Sequence, residues 1–406
     1  NLETNSQKLP VLVYIHGGSL MTGSSWSENY DGESLTKKGI IVVTIAYRVG
    51  VFGYYAHEDL AAESPNHTTG NYGLLDQIKA LEWINQNIGY FGGDADNITI
   101  AGESAGSSSV NALCASPLSK GLFRRAIGES SSLVVPVPPH TFRSQADAFK
   151  MGHNIMQEFK AKSIEDLRKV PAKKLIKTRY SNNAMTIDPY AMPEYPWEIY
   201  KAGKNHEEAL LNGFNLDEGR AFTTLSSINL KNYKKLVEES PYVTDAEGIY
   251  QLMPVKNNKD AKRLYTDVFS VVCFTYPHYS WTQVVSAQNR PVYEYCFLKE
   301  NPSVSTMHSG EIIYAYGNLD KNTKKIYTDE DYALSETMMN YWVNFAKFGD
   351  PNGNPKSPDY GKLLPYWEKA TEKSGEQKLL QLGTEIKMTT DPFTPFYEYL
   401  NFDIAK

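Results

Sequence analysis

The sequence predicts an α/β fold, a mostly parallel central sheet flanked by helices. Two observations predict it. Short apolar runs rich in β-branched residues alternate with segments of helical periodicity, the pattern of parallel strands joined by helical crossovers. One of those runs passes through a tight glycine turn directly into a helical pattern, around residues 97–113.

The strands are expected at 11–15, 40–46, 98–102, 125–128, 209–213, 291–297 and 378–382. A helix lies between the second and third, where Leu74, Ile78, Leu81 and Ile84 form one apolar stripe and Gly89 is placed to close it. A second helical pattern runs through 332–348 and stops at the turn cluster Gly349-Asp350-Pro351-Asn352-Gly353. Two long polar, mainly helical stretches, at about 134–206 and 222–289, read as insertions that roof the sheet. The expectation is therefore one domain over 1–406.

Composition narrows the functional classes. The 406 residues are 41% hydrophobic and 22% charged, enough for a large core. The net charge of -6 argues against nucleic acid as a partner. The longest apolar run, at 40–46, is far short of the ~20 residues of a membrane helix. No signal-peptide core is present in residues 1–8. The 3 cysteines, Cys114, Cys273 and Cys296, cannot form a disulfide framework and read as buried thiols. A cytoplasmic location, without membrane attachment, is the expectation.

Gly102-Glu103-Ser104-Ala105-Gly106 is the first motif with chemistry in it. It sits between a strand and a helix, the context of a nucleophile elbow. Its glycines flank a turn too sharp for side chains, and the turn lifts the Ser104 hydroxyl above the sheet edge at a helix N-terminus. His16-Gly17-Gly18-Ser19 directly follows the first strand. Acyl transfer in such a fold needs backbone N–H donors there for the oxyanion, and small residues let the backbone approach it.

A serine is a poor nucleophile until a neutral imidazole takes its proton, and a carboxylate must hold that imidazole. The order Ser, acid, His with each on a post-strand loop leaves few choices. Asn215-Leu216-Asp217-Glu218-Gly219 follows the 209–213 strand and offers two adjacent carboxylates, which the pattern alone does not separate. His308 follows the 291–297 strand, whereas His278 precedes it within a helical pattern.

Taken together these residues resemble the type-B carboxylesterase family, which includes liver carboxylesterases, para-nitrobenzyl esterases and cholinesterases. The similarity runs from about Leu12 to Pro365. It includes Ala46-Tyr47-Arg48-Val49-Gly50-Val51-Phe52-Gly53, Gly70-Asn71-Tyr72-Gly73-Leu74-Leu75-Asp76-Gln77, Phe91-Gly92-Gly93-Asp94 and Phe345-Ala346-Lys347-Phe348-Gly349-Asp350-Pro351. The resemblance implies an α/β-hydrolase fold and a serine carboxylesterase that needs no cofactor or metal and acts on a small-molecule ester. It implies a triad of Ser104, Glu218 and His308, the acid being the Glu of Asp-Glu-Gly, and oxyanion donors at Gly18, Ser19 and Ala105. It further implies that Ser130 supports the triad from behind, and that Arg48 and Asp76 form a buried ion pair. Two departures stand out. Ser19 replaces the family's usual glycine, and the family's strands ahead of the His-Gly-Gly strand are expected to be absent or supplied by an additional chain. The competing expectations are an inactive fragment and a non-enzymatic cholinesterase-like binding protein.

Overall fold

The computed structural model describes residues 8–136, 142–180, 183–223, 227–301, 306–322, 326–370 and 377–402. Residues 1–7, on which the reading of the leader rests, lie outside them. Eight strands form one sheet in the order β2-β1-β3-β4-β5-β6-β7-β8. They are β1 (Leu9–Ile15), β2 (Ile41–Ile45), β3 (Gly93–Glu103), β4 (Arg125–Glu129), β5 (Ala209–Asn215), β6 (Val292–Phe297), β7 (Lys378–Leu382) and β8 (Ile386–Thr390). All neighbours pair in parallel except β7 with β8. This is the α/β-hydrolase sheet, and each of the seven expected strands is present.

β8 escaped the sequence reading. Its Ile-Lys-Met-Thr-Thr run is half exposed at the sheet edge, so it lacks the continuous apolar signature of the central strands. The centre shows the contrast: every residue of β4, β5 and β6 is buried. β2 is the opposite edge, and among the described residues no strand pairs with its outer side.

Seven helices matter below. These are α1 (Glu58–Glu63), α2 (Tyr72–Asn87), α3 (Ala105–Ala115), α4 (Gln145–Glu158), α5 (Asn258–Ser270), α6 (Tyr276–Ala287) and α7 (Asp329–Phe348). In α2 the expected stripe is buried, with Leu74, Ile78, Leu81 and Ile84 all within the core beneath the sheet. Gly89 does not close it. A 3-10 turn, Ile88–Phe91, follows, and Gly92 takes the left-handed conformation at φ 82°. α7 starts at Asp329, earlier than its apolar pattern suggests, because Thr328 and Asp331 form a capping box. Gly349 ends it at φ 73°.

Arg48 and Asp76 pair in a fork, with Nε and Nη2 donating to the two carboxylate oxygens at 2.8 Å each. The pair is not buried as the resemblance implied. The Arg48 side chain is 53% exposed, because it follows the edge strand and lies over the Tyr72 ring. The three cysteines are free and buried. No described helix is long and apolar enough to cross a membrane.

The chain order creates the site. It enters at β1, passes to β2 on one side, then returns to β3 on the other. The loops leaving β1 and β3 therefore diverge from a switch point at the carboxyl edge, where open α/β sheets place their ligands. The register puts Ile15 opposite Gly102, so the residues after both strands begin side by side.

Candidate active site

Ser104 sits between β3 and α3 with φ 56° and ψ -126°, a conformation that side chains rarely adopt. Its neighbours show what holds it there. A Cβ on Gly106 would lie 2.0 Å from the Ile15 carbonyl oxygen, and one on Gly102 2.8 Å from the same atom. Only glycine lets the start of α3 press this closely on the end of β1. The Ser104 N–H donates to the Glu129 carbonyl at 2.8 Å, which ties the strained turn to β4.

The loop after β1 turns on Gly18, Ser19 and Leu20, at φ 102°, 56° and 57°. Met21 and Thr22 N–H both donate to the Gly18 carbonyl at 3.0 Å, closing the turn. Among the described residues the N–H groups of Gly18 and Ser19 make no hydrogen bond, and that of Ala105 opens a helix where no intrahelical acceptor exists. Gly17 lies against the elbow: a Cβ there would be 2.7 Å from the Glu103 carbonyl oxygen and 3.1 Å from Ser104 Cβ. His16 is fixed by a hydrogen bond from Tyr47 Oη to its carbonyl at 2.8 Å and by stacking on that ring.

The acid and base loops are stitched together. Asp217 bridges to Met307, its N–H donates to the Thr306 carbonyl at 2.9 Å, and its carboxylate accepts from Thr306 Oγ1 at 2.7 Å and pairs with Arg263 at 2.8 Å. Asp217 is thereby turned away from the imidazole. Glu218 is fully buried and faces it, with Oε2 2.6 Å from His308 Nδ1. Its other oxygen accepts from the Asn215 N–H at 2.7 Å and from Asn215 Nδ2 at 3.2 Å. The two adjacent carboxylates that the sequence leaves tied are thus distinct in space.

Ser104 and His308 share this edge, yet no hydrogen bond joins them. His308 Nε2 has no hydrogen-bond partner and lies 3.3 Å from Glu103 Oε1. Ser309 Oγ donates to that same oxygen at 2.5 Å. Behind Glu218 and His308, Asn215 Nδ2 donates to Ser130 Oγ at 3.2 Å and to Glu311 Oε2 at 2.5 Å, and Ser130 Oγ donates to Glu311 Oε1 at 3.0 Å. Ser130 therefore reaches Glu218 only through Asn215.

Three buried carboxyl groups around one imidazole set the electrostatics. Burial by itself would lower His308, but the charges of Glu103 and Glu218 and the Glu218 hydrogen bond outweigh it, and the imidazole is pushed up to about 9. Burial, then the charges of Glu218 and Glu103, pushes Glu311 up to about 8. Burial also raises Glu103, partly offset by His308. His278, by contrast, is buried against Asn212 and pushed down to about 3, a structural histidine.

Aromatic rings cover the imidazole. Phe274 and Phe222 have centroids 4.8 and 5.1 Å from it, and Phe269 packs on both. Phe274 belongs to a π-turn, Val271–Thr275, that joins α5 to α6. Sequence reasoning did not assign roles to Glu103, Ser309, Glu311, Asn215 or these phenylalanines. Glu103 and Asn215 lie within the motifs and Ser309 and Glu311 closely follow His308, so adjacency alone was the available signal. The phenylalanines carried none, because helical spacing does not say which ring meets which loop.

Sequence comparison matches the carboxylesterase family over residues 1–400. The chain is 32% identical over 410 residues to para-nitrobenzyl esterase of Bacillus subtilis, covering 96% of this chain and 79% of that protein. It is 32% identical to carboxylesterase 1C of Rattus norvegicus over 94% of this chain and 71% of that protein. Fumonisin B1 esterase of Sphingopyxis macrogoltabida is 30% identical over 86% and 67%, respectively. Among solved structures, a carboxylesterase of Geobacillus stearothermophilus superposes with a TM-score of 0.81 at 28% identity, over 98% of this chain and 83% of its own.

Proposed function

The chain belongs to the carboxylesterase family, and from that premise we propose that it hydrolyses carboxylic esters through an acyl-enzyme on Ser104, with His308 as general base and Glu218 as its orienting acid. One observation supports this most. His308 is held by Glu218 through Nδ1 while its Nε2 stays free of hydrogen bonds, at the sheet edge that also carries the strained Ser104.

In the proposed reaction Nε2 turns from Glu103 toward Ser104 and takes the hydroxyl proton as Oγ attacks the ester carbonyl. The carbonyl oxygen gains the negative charge and accepts hydrogen bonds from the N–H groups of Gly18, Ser19 and Ala105. Collapse expels the alcohol, which leaves with the proton from Nε2, and an acyl-serine remains. Water then loses a proton to Nε2, attacks the acyl carbon and releases the acid, and Ser104 recovers its proton. Throughout, Glu218 fixes the Nδ1–H tautomer and stabilises the imidazolium.

For the substrate, we infer small-molecule esters with a bulky apolar group. Phe222, 44% exposed beside the imidazole, offers that group a surface. Relatives named for para-nitrobenzyl and pyrethroid substrates support the same class. A fluorophosphonate probe should label wild type and leave Ser104→Ala unlabelled, with ester turnover lost in parallel. Labelling that persists in Ser104→Ala places the nucleophile elsewhere. A panel of esters should favour apolar, bulky substrates over acetate esters of small alcohols, and the reverse ranking refutes the substrate class.

A further inference from the structure

Far from the triad in sequence, two histidines and a carboxylate converge where α1 meets α4. His57, at the N-cap of α1, is 4% exposed. Its Nδ1 lies 3.8 Å from Glu58 Oε2 and 3.6 Å from Asp59 Oδ2. His153, on α4, places Nε2 2.8 Å from Glu58 Oε1, and the two imidazole rings meet edge to face at 4.8 Å. One ligand atom from each of His57, Glu58 and His153 lies within 4.8 Å of the others.

We propose that His57, Glu58 and His153 form a zinc-class divalent metal site that joins α1 to α4. Ligands of a tetrahedral zinc, bound at about 2.0–2.2 Å, stand roughly 3.3 Å apart. Glu58 Oε1 lies 2.8 Å from His153 Nε2 and Glu58 Oε2 3.8 Å from His57 Nδ1, and the three ligand atoms lie within 4.8 Å of one another, so rotation of the half-exposed Glu58 and His153 side chains draws the set to that spacing. Two imidazoles and a carboxylate select zinc over calcium or magnesium, which prefer oxygen ligands. Water would complete the fourth position.

The backbone beneath is closely packed. A Cβ on Gly152 would lie 2.0 Å from the Ala56 carbonyl oxygen, so α4 rests directly on the chain leading into α1. His57 Nδ1 accepts the Asp59 N–H at 3.1 Å with its one lone pair, so a metal at Nδ1 takes the place of that hydrogen bond. On binding, the lone pair passes to the metal, and His153 releases to solvent any proton that it holds at Nε2. No oxidation state changes. The ion cross-links two segments distant in sequence, and its effect falls on stability and leaves ester chemistry alone.

The test uses the whole enzyme, stripped with EDTA and desalted, then titrated with zinc chloride or cobalt chloride. One zinc per chain, a raised melting temperature, and visible cobalt bands of tetrahedral intensity are expected, with calcium and magnesium giving no shift. His153→Gln and Glu58→Gln alter side chains that are about half exposed, so both variants keep the core. Each should weaken zinc by roughly 100-fold, since losing a ligand exceeds the ~10–100-fold cost of losing a ligand's outer partner. Their ester turnover should match wild type. Absence of stoichiometric binding overturns the site, as does zinc affinity that is unchanged in both variants.

Discussion

At the scale of single residues, the acid that borders the proposed nucleophile bears on the imidazole as the proposed triad acid does. Glu103 Oε1 lies 3.3 Å from His308 Nε2 and is one of the charges that raise the imidazole to about 9. In the proposed mechanism attack needs the neutral imidazole, so activity should fall below that ionisation and grow as pH rises through it. The acidic limb of kcat/KM should therefore lie above the ~6.5 of an unperturbed histidine. Glu103→Gln removes a charge that favours the cation, so the limb should move to lower pH by about 1–3 pH units. A limb that stays in place in this variant would show that Glu103 does not act on the base. Ser19 supplies a second case. Its φ of 56° is one that glycine adopts freely, so Ser19→Gly keeps the loop and its N–H. Acetyl esters should be hydrolysed at nearly the wild-type rate and branched acyl esters faster, because only the side chain is removed. An equal loss of about 10²–10³-fold on both would instead identify the hydroxyl as an oxyanion donor.

At the scale of elements, the elbow depends on the contact of α3 with β1. Gly106→Ala puts a methyl group 2.0 Å from a backbone oxygen, and neither partner is a flexible side chain. The helix must retreat, costing about 1–3 kcal/mol of stability. A displacement of about 1 Å between Ser104 and the Gly18 loop should lower kcat/KM by about 10²-fold. Thermal melts and initial rates measure both, and an unchanged kcat/KM would mean that the close approach is incidental. The sequence made this element legible because its glycines, strand and helix are consecutive. His308 was legible by order along the chain, since it alone follows the strand after the acid loop. The choice between Asp217 and Glu218 was not legible in residue pattern alone. It is made by Thr306 and Arg263, which claim Asp217 from segments some 89 and 46 positions away. The edge strand β8 was missed for a related reason: half-exposed residues carry no sign of the neighbour they pair with.

At the scale of the whole molecule, the site is a row of loop tips along one edge of a single sheet. β1, β3, β5 and β6 each contribute, with β4 between them supplying the carbonyl that anchors Ser104. No stretch of chain holds more than one member of the proposed triad, and Glu218 and His308 alone are 90 residues apart. Contacts of this range form slowly, because loop closure must be met before they contribute. After dilution from urea, far-UV circular dichroism should recover first and ester turnover later, in step with the burial of the central strands. Turnover that returns with the helical signal would contradict this. Nothing in the Gly-Glu-Ser-Ala-Gly segment by itself favours φ 56° at Ser104, and only the closed sheet enforces it. A partly folded chain would therefore be chemically silent, however much helix it had gained, and a nascent or damaged copy could not cleave esters indiscriminately. Competence would thus be gained in the same event that completes the architecture.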